Sequence, residues 1–245
     1  MVARPMISIV IPALNEEALL GTCLESLRRQ NCRFAYEVII VDGGCTDGTV
    51  EVAKRFGARV IAEKQPGVAA ARNTGFTSAA GEIIASTDAD TILPDFWLER
   101  IARIFNEKPG TIGVGGPWEY YDGKPCTRFW ARVATLLTPG IMRVAPWMWS
   151  FSGFNFAVRK SAWERCGGFD TKVRYGEDFD LGRRLRKLGK VVYDHGLMVR
   201  TSGKAFDGDL VCIRMLANYL SLAFFGKIFL QPLVRSHLKQ YARKS

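Results

Sequence analysis

Two aspartates one residue apart, Asp88 and Asp90, close the apolar run Ile83-Ile84-Ala85-Ser86. A buried strand ending in Asp-x-Asp delivers hard oxygen ligands to the carboxyl edge of a sheet, where open α/β sheets bind their ligands. Carboxylates this close repel unless a cation or a proton lies between them. Mg²⁺ or Mn²⁺, held by one or two carboxylates together with substrate phosphates, meets that need with the fewest parts. Asp also caps helices and initiates turns, so the pair draws its meaning from the rest of the chain. A second acidic cluster, Glu177-Asp178 with Asp180 close behind, follows Gly176 at the expected start of a basic helix, and Asp42 ends another apolar run.

The elements that must position these acids alternate along the first 110 residues. Met6–Ile11 is a β-branched run stopped by Pro12 and reads as a buried first strand. Asn15 is expected to cap the helix that follows, with Glu16 and Glu17 in its first turn and Leu20, Cys23, Leu24 and Leu27 at helical spacing. Tyr36–Asp42 reads as a second strand, and Gly43–Thr49 as a loop that can bring backbone amides close to a ligand. Then come a short helix over Val50–Phe56, a strand over Ala58–Ala62 and an alanine-rich helix over Val68–Ala80 that carries Arg72 and is capped by Gly81. The strand to Asp88 follows, and after Pro94 a helix from Phe96 to Asn106. Four strand-helix alternations argue for a mostly parallel sheet with helices on both faces.

Beyond Pro109 the rhythm changes. A strand over Thr111–Trp118 and a helical segment over Cys126–Leu137 are expected, followed by the aromatic stretch that holds Trp147 and Trp149. Gly167–Asp170 reads as a turn, the basic helix ends at Gly189, and Val191–Tyr193 is expected to be the last short strand. No internal repeat or low-complexity tract interrupts the chain. We therefore expect one catalytic domain over residues 1–209, with halves of about 1–110 and 111–209, and a helical tail over 210–245.

Composition bounds the function. Hydrophobic residues make up 48% and charged residues 24% of 245, enough for a sizeable core and too ordered a balance for global disorder. The six cysteines stand singly, with no metal-site or redox spacing, and no secretory leader pattern is present, so a reducing cytosol is expected. A net charge of +10 suits an anionic membrane face or phosphorylated substrates. Nucleic acid is disfavoured because no zinc-finger, homeodomain or RNP-like pattern occurs.

Five motifs in this order resemble the inverting family-2 nucleotide-sugar glycosyltransferases of the GT-A fold. They are Ile11–Glu16, Val41–Thr49, Ala71-Arg72-Asn73, Thr87–Asp90 and Gly176-Glu177-Asp178, with Gly153–Arg159 and Gly167–Asp170 similar to the family's acceptor-side segment. The resemblance covers residues 5 to 205. It implies that Pro12, Ala13, Asn15 and Glu16 frame the nucleoside, with Gly44 and Ala89 on the same nucleotide side. Asp42 would accept from a ring N–H of the base. Arg72 would contact the base or hold Asp88. Asp88 would meet the ribose or a metal-bound water, Asp90 would ligate Mn²⁺ or Mg²⁺, and Asp178 would be the general base with Glu177 raising its pKa. Gly153, Asn155, Trp147, Trp149, Arg200 and Lys204 fall on the acceptor and diphosphate side. His195, a metal ligand in many relatives, precedes a segment that looks more like a diphosphate-side loop.

The chemistry is coherent with that assignment. Displacement at an anomeric carbon throws negative charge onto a leaving diphosphate, which a divalent cation neutralises. The attacking hydroxyl must lose a proton to a carboxylate on the opposite face, and a lone base without an internal nucleophile implies inversion. The expected partners are a nucleotide-diphosphate sugar and a glycan or lipid-linked acceptor. A polyprenyl-phosphate sugar synthase is the nearest alternative, and Glu177-Asp178 argues mildly against it. A nucleotidyltransferase would want a glycine-rich, basic first loop in place of Pro12–Glu16, and a non-catalytic sugar-nucleotide module would not need Asp178. The motifs do not separate UDP from GDP, because Asp42 can pair with a ring N–H of either base, and they carry no signal for oligomeric state. Leu210–Leu233 is apolar but broken by Arg214, Asn218, Lys227 and Gln231, which is too polar for a span of about 20 apolar residues. It suits either a helix in the membrane interface, with Arg235, Lys239, Arg243 and Lys244 toward anionic headgroups at the cytoplasmic face, or a helix packed on protein.

Overall fold

The protein is described by a computed structural model, in which residues 7–144, 151–173 and 176–204 are placed. Trp147, Trp149 and the tail over 210–245 lie outside the described residues. Nine strands and seven helices are formed among them. A seven-stranded sheet has the order β3-β2-β1-β4-β7-β5-β8, where β1 is Ile7–Ala13, β2 Tyr36–Asp42, β3 Arg59–Ala62, β4 Ile83–Ser86, β5 Thr111–Gly115, β7 Phe156–Arg159 and β8 Lys190–Tyr193. A separate pair joins β6 (Trp118–Tyr120) to β9 (Val199–Thr201).

Side chains alternate across a strand, and here both faces are covered. Ile7, Ile9 and Ile11 pack with Leu20 and Leu24 of α1 (Glu17–Arg28), Val52 of α2 (Thr49–Arg55) and Trp97 and Ile101 of α4 (Trp97–Glu107). Val10, on the opposite face, packs with Phe76 of α3 (Val68–Ser78), Trp163 of α6 (Lys160–Arg165) and Leu181 and Leu185 of α7 (Glu177–Arg186). Burial on both sides is why these strands read as continuous apolar runs.

The pairing β3-β2-β1-β4 is parallel throughout. β7 is not: it enters antiparallel to both β4 and β5. Its first residue, Phe156, lies beside Ser86 and Gly115, the last residues of its neighbours. The carboxyl ends of β1, β2, β4 and β5 and the amino end of β7 therefore share one edge, and the acidic motifs collect there.

Several expected boundaries shift for physical reasons. β1 runs through Pro12 to Ala13; the pairing with β4 stops at Val10 and Ser86, so a proline on that side forfeits no ladder bond. Gly81 does not cap α3, which ends at Ser78; a Cβ there would come within 2.8 Å of the Ser8 backbone nitrogen, so the glycine serves close approach to β1. The strand expected over Thr111–Trp118 breaks into β5 and β6, and α5 extends over Pro125–Val144. Val191–Tyr193 is not the last strand, because β9 follows and pairs with β6.

Candidate active site

The end of β1, the loop after β2 and the start of α1 are tied into one unit. Asn15 does not cap α1. Its backbone is left-handed at φ 57°, and its Oδ1 accepts from the Thr46 amide at 2.8 Å. The position before α1 is Glu16, whose side chain makes no capping bond. Asp47 does that work from the neighbouring loop, accepting from the Glu17 amide at 3.2 Å and the Thr49 amide at 3.1 Å. Asp42 turns its Oδ1 to the amides of Gly44 (3.0 Å) and Cys45 (2.7 Å). Those bonds fix the carboxylate at the sheet edge beside Ala13, its register partner on β1.

Arg72 is the hub that joins the two acidic motifs. It is buried on α3, and its Nη2 donates to Asp88 Oδ1 at 3.0 Å while Nη1 donates to Glu177 Oε1. The helix that carries Arg72 lies under β1 and β2, so one guanidinium connects the loop after β4 with the start of α7 (Glu177–Arg186). Gly153 makes room for it, since a Cβ there would fall 2.4 Å from Nη2. The Gly153 carbonyl accepts from Ser86 Oγ at 3.0 Å, which pins this approach to the end of β4.

Asp178 stands next to that pair, its Oδ1 accepting from the Phe179 amide at 2.8 Å. Protein surrounds the carboxyl on most sides although solvent still reaches it. Burial, and then the Glu177 carboxylate, push its pKa up from 3.8 to about 7, against the pull of Arg72. A carboxyl poised near neutrality is suited to proton transfer.

On the other side of Arg72, Asp90 is lifted to about 7 by burial and then by Asp88. Glu16 reaches about 7 for a related cause, burial first and then the charges of Asp90, Asp88 and Asp47. Beyond burial, Asp88 adds to the rise of Asp90, and Asp90, Asp88 and Asp47 add to that of Glu16, so negative charge is concentrated between Glu16 and Asp90. Hard oxygen donors in such a region fit a divalent cation. Among the described residues, no three His, Cys, Asp or Glu side chains gather closely enough to chelate one unaided, so the remaining ligands would come from phosphate and water. The Thr201 hydroxyl donates to Asp90 Oδ1 at 3.0 Å and accepts in turn from Thr91 Oγ1 at 3.0 Å.

Sequence motifs gave no hint of Thr201, because it lies on β9, a three-residue strand with no periodicity to betray it. Two further expected residues, one on β9 and one just beyond it, are ion-paired within the protein. Arg200 pairs with Glu119 on β6 at 3.3 Å, and Lys204 with Asp122 at 3.6 Å while remaining 70% exposed. Asn155 is buried, and its amide accepts from Trp97 Nε1 at 3.0 Å and donates to the Pro117 and Leu197 carbonyls at 2.9 and 2.7 Å. It is a buried cross-link between β7 and the segment leading to β9. His195 is exposed, with its ring against Tyr193.

A buried strand ending in Asp-x-Asp, an acid at the end of β2 and a raised carboxyl at the start of α7 meet at one edge in this chain. The resemblance extends to known proteins. Glycosyltransferase AglE of Haloferax volcanii is 38% identical over 127 residues, 49% of this chain and 42% of that protein. A probable glycosyltransferase of Bacillus subtilis, YdaM, is 27% identical over 202 residues, 76% of this chain and 47% of its own length. The chain thus spans about half the length of the curated relatives it matches. The mannosyltransferase PcManGT of Pyrobaculum calidifontis, solved with GDP-Man and Mn²⁺, superposes with a TM-score of 0.69 at 23% identity, covering 99% of this chain and 69% of that one, a likeness of fold. The model described as "Glycosyl transferase family 2" matches residues 8–167, the stretch that runs from β1 past α6, and the chain therefore belongs to glycosyl transferase family 2.

Proposed function

We propose that the protein transfers a sugar, with inversion, from a UDP- or GDP-sugar to a hydroxyl of a glycan or lipid-linked acceptor, with Mn²⁺ or Mg²⁺ as cofactor. The observation that carries this reading is the meeting of the pairs Asp88–Asp90 and Glu177–Asp178 across one buried arginine. The cofactor is supported by the raised carboxyls of Asp90 and Glu16 and by the Mn²⁺ that accompanies GDP-Man in the PcManGT complex. Asp90 and Asp88 would hold the cation, which when bound supplies positive charge opposite the leaving diphosphate. Ala13, Asn15, Glu16 and Asp42 would frame the nucleoside, with Asp42 accepting from the base. Asp178 would take the acceptor hydroxyl's proton as its oxygen bonds to the anomeric carbon and the bond to the nucleoside diphosphate breaks. Arg72 would keep Asp88 and Glu177 at fixed separation, so that donor and base meet in register.

Calorimetric titration of UDP and of GDP with Mn²⁺ and with EDTA tests the metal side. Asp90→Ala is expected to remove the Mn²⁺-dependent part of the affinity. Equal affinities in Mn²⁺ and EDTA, for wild type and variant alike, would overturn the assignment of Asp90 as a ligand.

A further inference from the structure

Among the described side chains of helix α5 (Pro125–Val144), the largest apolar ones face outward. At 3.6 residues per turn Phe129, Leu136 and Leu137 share one face, with Trp130 at its border; they are 60%, 77%, 57% and 48% exposed. The side packed on the protein carries smaller residues, Thr127, Ala131 and Thr138, all buried. Thr135 joins them, its Oγ1 donating to the Trp118 carbonyl at 2.9 Å. An ordinary surface helix has the opposite arrangement, with its apolar stripe toward the core. Phe129 and Trp130 pack edge to face on each other, with ring centres 5.7 Å apart. Arg128 and Arg132 follow one flank of the face and, with Pro125 and Phe129, line a hollow of about 260 Å³. No Asp or Glu occurs between Gly123 and Val144.

We infer that this face of α5 seats on an anionic lipid surface. Its apolar side chains enter the boundary between headgroups and acyl chains, and Arg128 and Arg132 meet headgroup phosphates. Exposed apolar area alone would suit several apolar partners; the arginine flank chooses among them. An anionic surface complements it. The chain's own residues 205–245 carry six Lys or Arg against two Asp and bring no net negative charge to it. A second copy packed face to face would set the same arginines in opposition. Trp, Phe and Leu beside arginines are also the composition of helices that lie in a membrane interface. The inference goes beyond the proposed reaction and stands apart from any role of residues 210–245.

The test is co-sedimentation of the full chain with phosphatidylglycerol/phosphatidylcholine vesicles and with pure phosphatidylcholine vesicles. Leu136→Gln/Leu137→Gln and Arg128→Gln/Arg132→Gln alter exposed side chains, and thermal melts confirm folding. Wild type is expected to prefer the anionic vesicles. Each double variant should lower the partition coefficient by roughly tenfold or more, the arginine pair only on anionic lipid. Binding by both variants equal to wild type would overturn the inference and move attachment to another part of the chain. It would also be overturned by a wild type that ignores anionic vesicles, whether it sediments as a monomer or as a dimer that Leu136→Gln/Leu137→Gln dissociates.

Discussion

Asp178 is held between opposing influences, and its pH behaviour follows from their balance. Its carboxyl is lifted from 3.8 to about 7 by burial and by Glu177. Between those values the native state keeps a proton that the unfolded chain has released. The native state then binds more protons, so this residue's share of stability is present in acid and is lost as pH rises through about 7. A base must be deprotonated to act, so turnover should climb with pH through the same region and then level off. Asp178→Asn should lower turnover by about 10²-fold or more, leave nucleotide affinity nearly unchanged and flatten the pH profile. It should also melt at least as high as wild type at pH 8, because it no longer ionises against Glu177. Turnover within a few fold of wild type would point to an acceptor that is already anionic, such as a polyprenyl phosphate.

At the scale of elements, the site depends on how α3 presents Arg72. Breaking a buried ion pair leaves a charge without a partner, at a cost of about 3–5 kcal/mol. Arg72→Met should approach that figure in chemical denaturation, since Arg72 and Glu177 side chains are 3% and 10% exposed. Gly153→Ala tests the same contact from the other side. Its methyl would meet an arginine clamped at both ends, so stability should fall by about 1–3 kcal/mol and turnover should fall with it, while Gly44→Ala, where the added carbon meets nothing, probes backbone strain alone. Either Gly153→Ala at wild-type stability or Arg72→Met within about 1 kcal/mol of wild type would refute the clamp. The alternation of strand and helix, and the acids ending β2 and β4, were legible because hydrophobic period and chain order dictate them. The burial of Arg72 was not, because an arginine on an alanine-rich helix reads the same whether it faces solvent or two distant carboxylates. Asn15 misled for a related reason: asparagine favours both helix caps and left-handed turns, and only the third dimension decides. Asn155 and Thr201 find their partners 38 to 111 residues away, a separation at which sequence spacing carries no signal.

For the whole molecule, charge and apolar surface raise the question of where it works. The net charge is +10, and no described helix is long and apolar enough to cross a membrane. We propose that residues 210–245 add to attachment at the cytoplasmic membrane face, because four Lys or Arg in the last eleven residues each contribute on the order of 1 kcal/mol near an anionic leaflet. Electrostatic attachment weakens with salt, whereas burial against protein does not. A chain ending at Asp209 should therefore bind anionic vesicles less well than the full chain at low salt, with the difference narrowing at high salt. Unfolding of that shorter chain, with no vesicle binding by the full one, would instead make the segment part of the core.

The antiparallel strand β7 has a consequence for how the protein is made. It fills the middle of the sheet, between β4 and β5, yet it is encoded 70 residues after β4 ends, at Ser86, with Phe156. A ribosome must release that much chain before the edge of β4 finds its neighbour. Until then the four parallel strands expose β4 as an apolar, unpaired edge, the kind of template on which other chains add strands. The first 110 residues are in that sense a nucleus waiting to be closed, not a module. A fragment ending at Gly110 should collapse and self-associate, detectable by light scattering and thioflavin binding, and a separately supplied peptide spanning β7 should suppress that association by occupying the open border.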